Sequence, residues 1–548
     1  MATFQGIPGA QALPYPQWAY TKLSPAQLSG ATRYGVSRIY SSVKQLYRQG
    51  ERGADLYIVL DGTIQTFWCD VLEEQERIVT LEPGEFTGEL NLLNQKETLI
   101  AARALAGSTV LRIPRERLRE LLIAEPEIAE VIVRTIVQRR HWFMKIHAGG
   151  LALIQHNENG DTEKLARFLN ANSFPFQVVD IQQSPSTQRL AEERGLQSSD
   201  LPAVLSSKWT LKRPELRVLA EKLGISDDIR DGATWDVLVV GAGPAGLATA
   251  VYTASEGLRT LVLDSYAPGG QAGTSSKIEN YLGFSHGVSG VELAKQAQVQ
   301  AEKFGATVAV CRTVRAIDCS EEPFYVELDG GQKVSARAVV IATGANYRKL
   351  SIKGFKRFEG AGIHYAATPI DVQPCAAQSV VIVGGGNSAG QAAMFLSAHA
   401  NHVHMLIRGP QLSSTMSDYL VQRIHASKGI TLHPCSEVVS VEGEDRLGHV
   451  TWHSEATSET TRFPTEHLFV MIGADPCTDW LRDCVELDSH GFVKTSSGSE
   501  ERGHFETSVR GIFAVGDVRS GSVKRVASAV GEGSIVVPEI HRYLGTLG

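Results

Sequence analysis

Cysteine is sparse and scattered, with seven in 548 residues at 69, 311, 319, 375, 435, 477 and 484. No two stand at C-x-x-C spacing, which argues against a disulfide framework and against a zinc site. A reducing cytoplasm is the expected home of such a chain. A basic surplus is also lacking. The 53 Lys and Arg against 60 Asp and Glu leave a net charge of −7, with no long run of one sign, so no nucleic-acid partner is expected. Nor is there a convincing membrane span. Val237–Ser255 and Ser379–Ala400 are uncharged and close to spanning length, but each holds a glycine-rich turn at its middle. A buried strand followed by a buried helix explains both. The start, MATFQGIPGAQALPYPQW, has neither a basic segment nor an apolar core, so no signal peptide is expected. What remains is an ordinary globular composition, 43% hydrophobic and 21% charged, over a length that implies several domains.

Residues 1–35 are punctuated by Pro and Gly and read as a loose lead-in. Over 36–147, short β-like runs (DLYIVLDGTIQTFWC, RIVTLEPGEF, STVLRIP) alternate with turns and give way to apolar residues at helical spacing from Arg115 to Ile146. The pattern predicts a β-barrel or β-roll followed by one helix, with a break near Pro126. Residues 151–226 alternate strands and helices in a compact α/β unit, and 226–234 form a linker rich in Asp. From 235 to 548 strands and helices alternate in the βαβ manner.

Two segments of that last part repeat one design: DVLVVGAGPAGLATAVYTASEGLRTLVLD and SVVIVGGGNSAGQAAMFLSAHANHVHMLIR. Each runs strand, glycine turn, small-residue helix, strand. Gly241 permits the tight turn, Gly243 lets a pyrophosphate approach the backbone, and Gly246 lets the helix pack on the sheet, with Pro244 and Ala245 opening that helix. Free N–H groups at the helix start attract phosphate. Gly384, Gly386 and Ala389 repeat the pattern around Asn387 and Ser388. The second strands end differently. Asp264, 23 residues after Gly241, suits ribose hydroxyls, whereas Arg408, 24 residues after Gly384, suits a 2′-phosphate. The first site therefore fits FAD. The second fits NADPH better than NADH, with NADH still possible because Gly409 stands where a second basic residue would strengthen the preference.

In these features the chain resembles the low-molecular-weight thioredoxin-reductase family of flavoproteins over roughly 235–544. The motifs are GAGPAG, GGQ, IENY, ATG, GGGNSA and GIFAVGD. The resemblance implies an α/β fold with two Rossmann-like domains of three-layer ββα type. The FAD-binding domain is split into 235–347 and 476–548, and the NAD(P)H-binding domain lies between them at 348–475. It implies that Gly270, Gln271 and Asn280 line the flavin, and that Gly516 and Asp517 hold its ribityl chain. The helix start at Arg525 and Val526 would face its pyrimidine edge, where a positive helix end favours reduced flavin. It further implies a homodimer.

Three departures shape the functional reading. Where the family carries its Y-C-A-T-C disulfide, this chain has Tyr365-Ala366-Ala367-Thr368-Pro369, and neither Ala nor Pro can hold an electron pair. Residues 151–226 resemble the thioredoxin/glutaredoxin fold, with Leu201-Pro202 at its cis-proline position but Asn157-Glu158-Asn159-Gly160 where redox cysteines would stand. The N-terminal roll resembles cyclic-nucleotide-binding domains through Pro83–Leu90, with Glu89 as the ribose contact. Thr98 stands where a phosphate-clamping Arg is expected, although Lys96 and Arg103 are near.

The expectation is an NAD(P)H-dependent flavin oxidoreductase with FAD and NADPH as cofactors and no metal. Its acceptor would be ferredoxin, flavodoxin, a quinone, oxygen or a thioredoxin-like protein. No catalytic acid or base stands out; His364 and Tyr365 merely lie in the altered motif. Two alternatives stay open: a regulatory flavoprotein that senses NAD(P)H redox state or a cyclic nucleotide, and a disulfide reductase using scattered cysteines such as Cys375 or Cys435.

Overall fold

The computed structural model describes residues 10–12, 20–69, 76–88, 92, 97–146, 151–156, 160–182, 185–206, 208–226, 229, 232–274, 278, 281–359, 361–365, 367, 375, 378–444, 446–481, 484–496 and 502–547. They fall into two compact units, one of 1–344 with 478–548 and one of 345–477.

The larger unit opens with two β-sheets, antiparallel except where Ala10–Ala12 runs parallel to Glu76–Leu81. One holds Val36–Tyr40, Ser108–Ile113 and Leu56–Asp61. The other is a five-stranded sheet built on Ile64–Cys69 between Glu76–Leu81 and Ala101–Ala104. Inward alternation buries Ile64, Trp68, Val79 and Leu81. The described end of the lead-in, from Tyr20 on, is more ordered than its Pro and Gly suggest. Pro25–Ala31 is a helix closed by a capping box, in which Ser24 Oγ accepts from Gln27 N–H and Gln27 Oε1 accepts from Ser24 N–H. The helical stretch over 115–146 breaks at Pro126 as expected, into Arg115–Ala124 and α1 (Pro126–Lys145). They part at Glu125 (φ −122°, ψ 78°), because the residue before a proline is pushed out of the helical region.

The next sheet runs Gln177–Asp180, Leu151–Gln155, Ala203–Ser206, Thr210–Lys212, its first pair parallel and the rest antiparallel. Helix α2 (Gly160–Ala171) connects the parallel pair, and the Leu201–Pro202 peptide is cis. Then comes a seven-stranded sheet. Strand β1 (Thr234–Val240) sits between β2 (Thr260–Leu263) and β3 (Lys333–Ile341), all parallel. Ile512–Ala514 returns from far along the chain to pair in parallel with the end of β3. Val237–Val240 and Leu261–Leu263 are buried, as parallel strands covered on both faces require. Helices α3 (Pro244–Ser255), α4 (Gly290–Phe304) and, last in the chain, the helix Val526–Gly545 belong to this unit.

The smaller unit is a five-stranded parallel sheet in the order Ile363–His364, Leu468–Val470, β4 (Ser379–Val383), β5 (His402–Leu406), Ile430–His433, with helix α5 (Asn387–Ser397) after β4. A three-stranded antiparallel sheet of Ser436–Gly443, Leu447–Ser454 and Glu459–Pro464 accompanies it. Both uncharged stretches thus resolve into strand, turn and helix. No helix among the described residues is long and apolar enough to cross a membrane. One pairing departs from the sequence reading. Cys319 and Cys484, 165 positions apart, form a disulfide in the larger unit, because the fold brings together residues whose spacing carries no signal.

Asp236 ties β1 to the strand beside it. It accepts from the backbone N–H of Arg259 (2.9 Å) and from both arms of its guanidinium (3.2 and 3.1 Å). Burial pushes the Asp236 carboxyl up, but the Arg259 hydrogen bonds outweigh it and hold the group below the usual carboxylate range. The contribution is therefore complete above about pH 4 and fades as the pH falls further. Asp236→Asn should cost about 1 kcal/mol at pH 7, read as a lower thermal midpoint. The difference from the unsubstituted protein should shrink in a melt at about pH 3.

Candidate functional site

Strand β1 delivers the chain into a turn that only glycine permits. Gly241 has φ +107°, and a Cβ there would lie 2.3 Å from the carbonyl oxygen of Ala342, just past the end of the neighbouring strand β3. At Gly246 a Cβ would lie 1.9 Å from Gly241 O, so helix α3 presses on the turn that starts it. Gly243, between them, differs: a Cβ there would meet nothing within 4 Å. Its φ of −70° suits any residue. What Gly243 keeps clear is space in front of the helix start, where Pro244 and Ala245 form the first turn of α3.

Distant segments converge on this turn. A Cβ on Gly270 (φ +52°) would touch Gly243 Cα at 3.1 Å, and one on Gly516 (φ +75°) would meet Ala245 Cβ at 2.9 Å. Gly269 N–H donates to Ala242 O at 2.7 Å, and Gln271 follows, half-buried. The fold thus gathers GAGPAG, GGQ and GIFAVGD around one clear space. Asp264 reaches the same turn, and its hydrogen bonds organise backbone. Oδ2 accepts from Ala242 N–H (2.8 Å), while Oδ1 accepts from Tyr266 N–H (2.8 Å) and Ala267 N–H (3.0 Å). Burial pushes its carboxyl up against those three donors. Asp517 is half-buried, its carboxyl raised by burial and by Glu532 and opposed by Lys524. Arg525 is the exposed N-cap of the last helix and Val526 its first residue. Asn280 lies outside the described residues.

Sequence reasoning missed the support behind Asp517. Glu532, one face of the last helix, accepts from Gly516 N–H (2.7 Å) and from the Arg519 guanidinium (2.6 Å). Gly533, its neighbour, lets that helix meet α3, since a Cβ there would lie 2.3 Å from Ala245 O. The Gly-Glu-Gly run at 531–533 was the available signal.

The smaller unit repeats the geometry. Gly384 has φ +142°, and its Cβ would fall 2.3 Å from Met471 O, while Gly386 has nothing within 4 Å. Asn387 and Ser388 open α5, and Ala389 is buried behind them. Asn387 Oδ1 accepts from both Ser417 N–H and Ser417 Oγ–H at 2.8 Å, and Thr415 Oγ–H donates to Gly385 O at 2.7 Å. Residues 415–417 therefore brace this turn, a role the sequence did not signal. Arg408 is exposed just beyond the end of β5.

Around the altered motif, Tyr365 donates to the Glu359 carboxylate and stacks on Tyr347 (5.7 Å, 7° between planes). His364 meets His467 at 3.2 Å. Ala366, Thr368 and Pro369 lie outside the described residues. Cys375 is fully buried among aliphatic side chains, and Cys435 is half-exposed. In the N-terminal roll, Thr98 is buried and donates to Arg48 O (2.8 Å), and Arg103 is engaged with Gln65 Oε1 (2.9 Å) and the Phe67 ring. Glu89 and Lys96 lie outside the described residues. Arg139 of α1, which the sequence reading passed over, is buried and donates to Gly88 O at 2.8 Å, its guanidinium over Tyr20 and Phe86.

The family model described as pyridine nucleotide-disulphide oxidoreductase matches residues 235–533, more than half the chain and the whole of both glycine turns. The chain belongs to that family. A cyclic nucleotide-binding domain model matches 38–125. Thioredoxin reductase of Bacillus subtilis (strain 168) is 32% identical over 314 residues, covering 57% of this chain and 96% of that protein. NADPH-dependent thioredoxin reductase 3 of Arabidopsis thaliana is 32% identical over 316 residues, 56% of this chain and 58% of the relative. Among solved structures, thioredoxin reductase from Streptococcus pyogenes MGAS5005 aligns at 31% identity with a TM-score of 0.52, over 58% of this chain and all of that one. As a pyridine nucleotide-disulphide oxidoreductase the protein is an NAD(P)H-dependent flavin oxidoreductase with FAD and NADPH as cofactors. The clear spaces over Gly243 and Gly386, each at a helix start, fit two dinucleotides.

Adjacent glycines should then fail in different ways. Gly246→Ala should destabilise the flavin-binding unit by more than about 3 kcal/mol, because its methyl strikes backbone. Gly243→Val should leave the melting of cofactor-free protein nearly unchanged yet reduce the FAD bound per chain, measured by absorbance after reconstitution. Equal loss of stability in the two variants would contradict the assignment.

Proposed function

We infer that this protein oxidises NADPH and delivers the electrons to an acceptor other than a thiol–disulfide partner. The observation that carries this is the sequence Tyr365-Ala366-Ala367-Thr368-Pro369, which has no sulfur to relay a pair of electrons. FAD, when bound, supplies the two-electron chemistry that takes hydride from reduced nicotinamide and passes electrons on. The chain's residues supply positioning and field. Gly241, Gly243 and Gly246 shape the turn and Gly270 lies against it. Asp264 holds the backbone of Ala242 and retains acceptor capacity for a ribose hydroxyl. Gly516 and Asp517, braced by Glu532, present the second carboxylate to the same space. The last helix offers its N-terminal N–H groups from Val526 onward, a positive end that favours a reduced, anionic isoalloxazine. In the smaller unit Gly384, Gly386 and Ala389 shape the nicotinamide-nucleotide turn, and Arg408 selects the 2′-phosphate. One-electron proteins such as ferredoxin or flavodoxin, quinones and oxygen are the acceptors this chemistry admits. A homodimer in the cytoplasm is the expected setting.

The burial of Cys375 argues against that thiol as the relay of a disulfide reductase built on scattered cysteines. A sensor is the second reading, favoured by the cyclic nucleotide-binding match at 38–125. Anaerobic titration separates enzyme from sensor. NADPH should bleach the flavin at one equivalent per chain, and a ferredoxin, flavodoxin or quinone should restore the colour over repeated turnovers. A flavin that stays reduced with every acceptor would favour the sensor, and efficient turnover with thioredoxin would defeat the thiol-free reading. Arg408→Ala should raise KM for NADPH by about 10- to 100-fold, the worth of a charge-assisted phosphate contact, and leave KM for NADH nearly unchanged in steady-state assays.

A further inference from the structure

The disulfide of the larger unit joins two places whose Cα atoms stand 6.0 Å apart. Cys319 follows Val314–Asp318, the edge strand of the seven-stranded sheet. A turn presents it there, because Asp318 Oδ1 accepts from both Ser320 N–H (3.1 Å) and Ser320 Oγ–H (2.6 Å). Cys484 follows the short helical turn Asp479–Leu481, whose Trp480 and Leu481 are buried in the same apolar cluster as Ile317. The chain leaves for the smaller unit after Cys319 and has returned before Cys484. The crosslink therefore closes a ring that contains all of 345–477. Both cysteines are half-buried at the margin of the cluster, within reach of a small reagent.

The segment after Cys484 leads to the flavin space. Val485 is buried in the cluster, and 486–494 fold back on themselves. Lys494 N–H donates to Glu486 O (3.0 Å) and Asp488 N–H to Phe492 O (2.8 Å). The far side of this hairpin lies on 518–520. Val493 N–H donates to Val518 O (3.0 Å), Ser520 N–H to Val493 O (2.8 Å) and Ser520 Oγ–H to Asp488 Oδ2 (2.7 Å). Between those contacts the Arg519 guanidinium is held by Glu532, the same carboxylate that takes Gly516 N–H. Gly516 and Asp517 thus adjoin a loop that the hairpin braces.

We propose that the Cys319–Cys484 pair is a redox-responsive crosslink, closed to steady the Gly516–Asp517 side of the FAD space and opened to loosen it. In a reducing compartment a disulfide is typically a transient, redox-sensing bond. To open it, a thiolate of a dithiol reductant attacks one sulfur, the S–S bond breaks and a mixed disulfide forms. The second thiolate of the reductant then displaces the bound cysteine. The reductant leaves as its own disulfide, and its two electrons, with two protons, end on Cys319 and Cys484. To close it, one cysteine thiolate attacks the O–O bond of a hydroperoxide and becomes a sulfenic acid, releasing water or an alcohol. The other thiol condenses with it, forming S–S and releasing water. The consequence for FAD rests on the flavin reading of that space, and the chemistry of the pair does not.

The FAD-loaded full-length chain is treated with hydrogen peroxide or with dithiothreitol and then freed of reagent. Mass mapping of alkylated, unreduced digests should find the 319–484 linked peptide in the first sample and two alkylated thiols in the second. Amides of 484–493 and 518–520 should exchange hydrogen about threefold or more faster in the reduced sample, and FAD should dissociate faster by a similar factor. Renewed peroxide treatment should restore the slow rates, a check that needs no variant. The double variant Cys319→Ala, Cys484→Ala should release FAD at the reduced rate with or without dithiothreitol. The proposal is overturned if the peroxide-treated chain lacks the linked peptide, if dithiothreitol leaves it intact in the folded chain, or if exchange or FAD release is the same in both states. A chain that holds no FAD in either state would defeat the flavin reading instead, and the peptide map and exchange rates would still decide the crosslink.

Discussion

Close approach of backbone to backbone at the two glycine turns is the constraint on which the rest of the structure depends. At Gly241 and Gly246 the missing side chains let strand, turn and helix touch, with less than 2.5 Å between an imagined Cβ and the nearest carbonyl oxygen. Gly384 does the same against Met471 O. Because those contacts leave no slack, the helix starts are held at fixed heights above their sheets. The middle glycines, 243 and 386, can then be devoted to empty space. Tight packing on either side of an open position is what makes a phosphate cradle rather than a loose loop.

Around the first turn, polar groups organise the backbone. Asp264 gathers three N–H groups, and Glu532 gathers Gly516 and Arg519. Each carboxylate holds a loop that must present its own backbone to a ligand, so the support is as much part of the site as the glycines. The last helix, reaching back from the end of the chain, supplies both Glu532 and the close contact at Gly533.

The front of the chain follows a different logic. Its roll is closed by aromatic packing, with Trp142 edge-on to both Tyr20 and Trp68, and by Arg139, whose guanidinium spans two rings and reaches Gly88 O. A helix that leaves the roll thus grips a segment inside the stretch that matches the cyclic nucleotide-binding domain model. The same helix continues to a cavity against α4, so one element runs from the roll to the helices that accompany the parallel sheet.

By itself the sequence determined the family and the two glycine turns, because positive φ and sub-van der Waals approach exclude every residue but glycine and leave a spaced, readable mark. It also determined that no sulfur stands at 366–369, since composition at a position needs no coordinates. The break at Glu125 before Pro126 was legible too, for an equally local reason. Tertiary structure alone decided the rest. Glu532 beneath Gly516, Ser417 beneath Asn387, Arg139 on Gly88, the Cys319–Cys484 pair and the cavity beside α4 each join residues 16 to 165 positions apart or more than two chain segments at once. Partners of that kind meet through how sheets and helices stack, and neither periodicity nor spacing along the chain encodes that meeting.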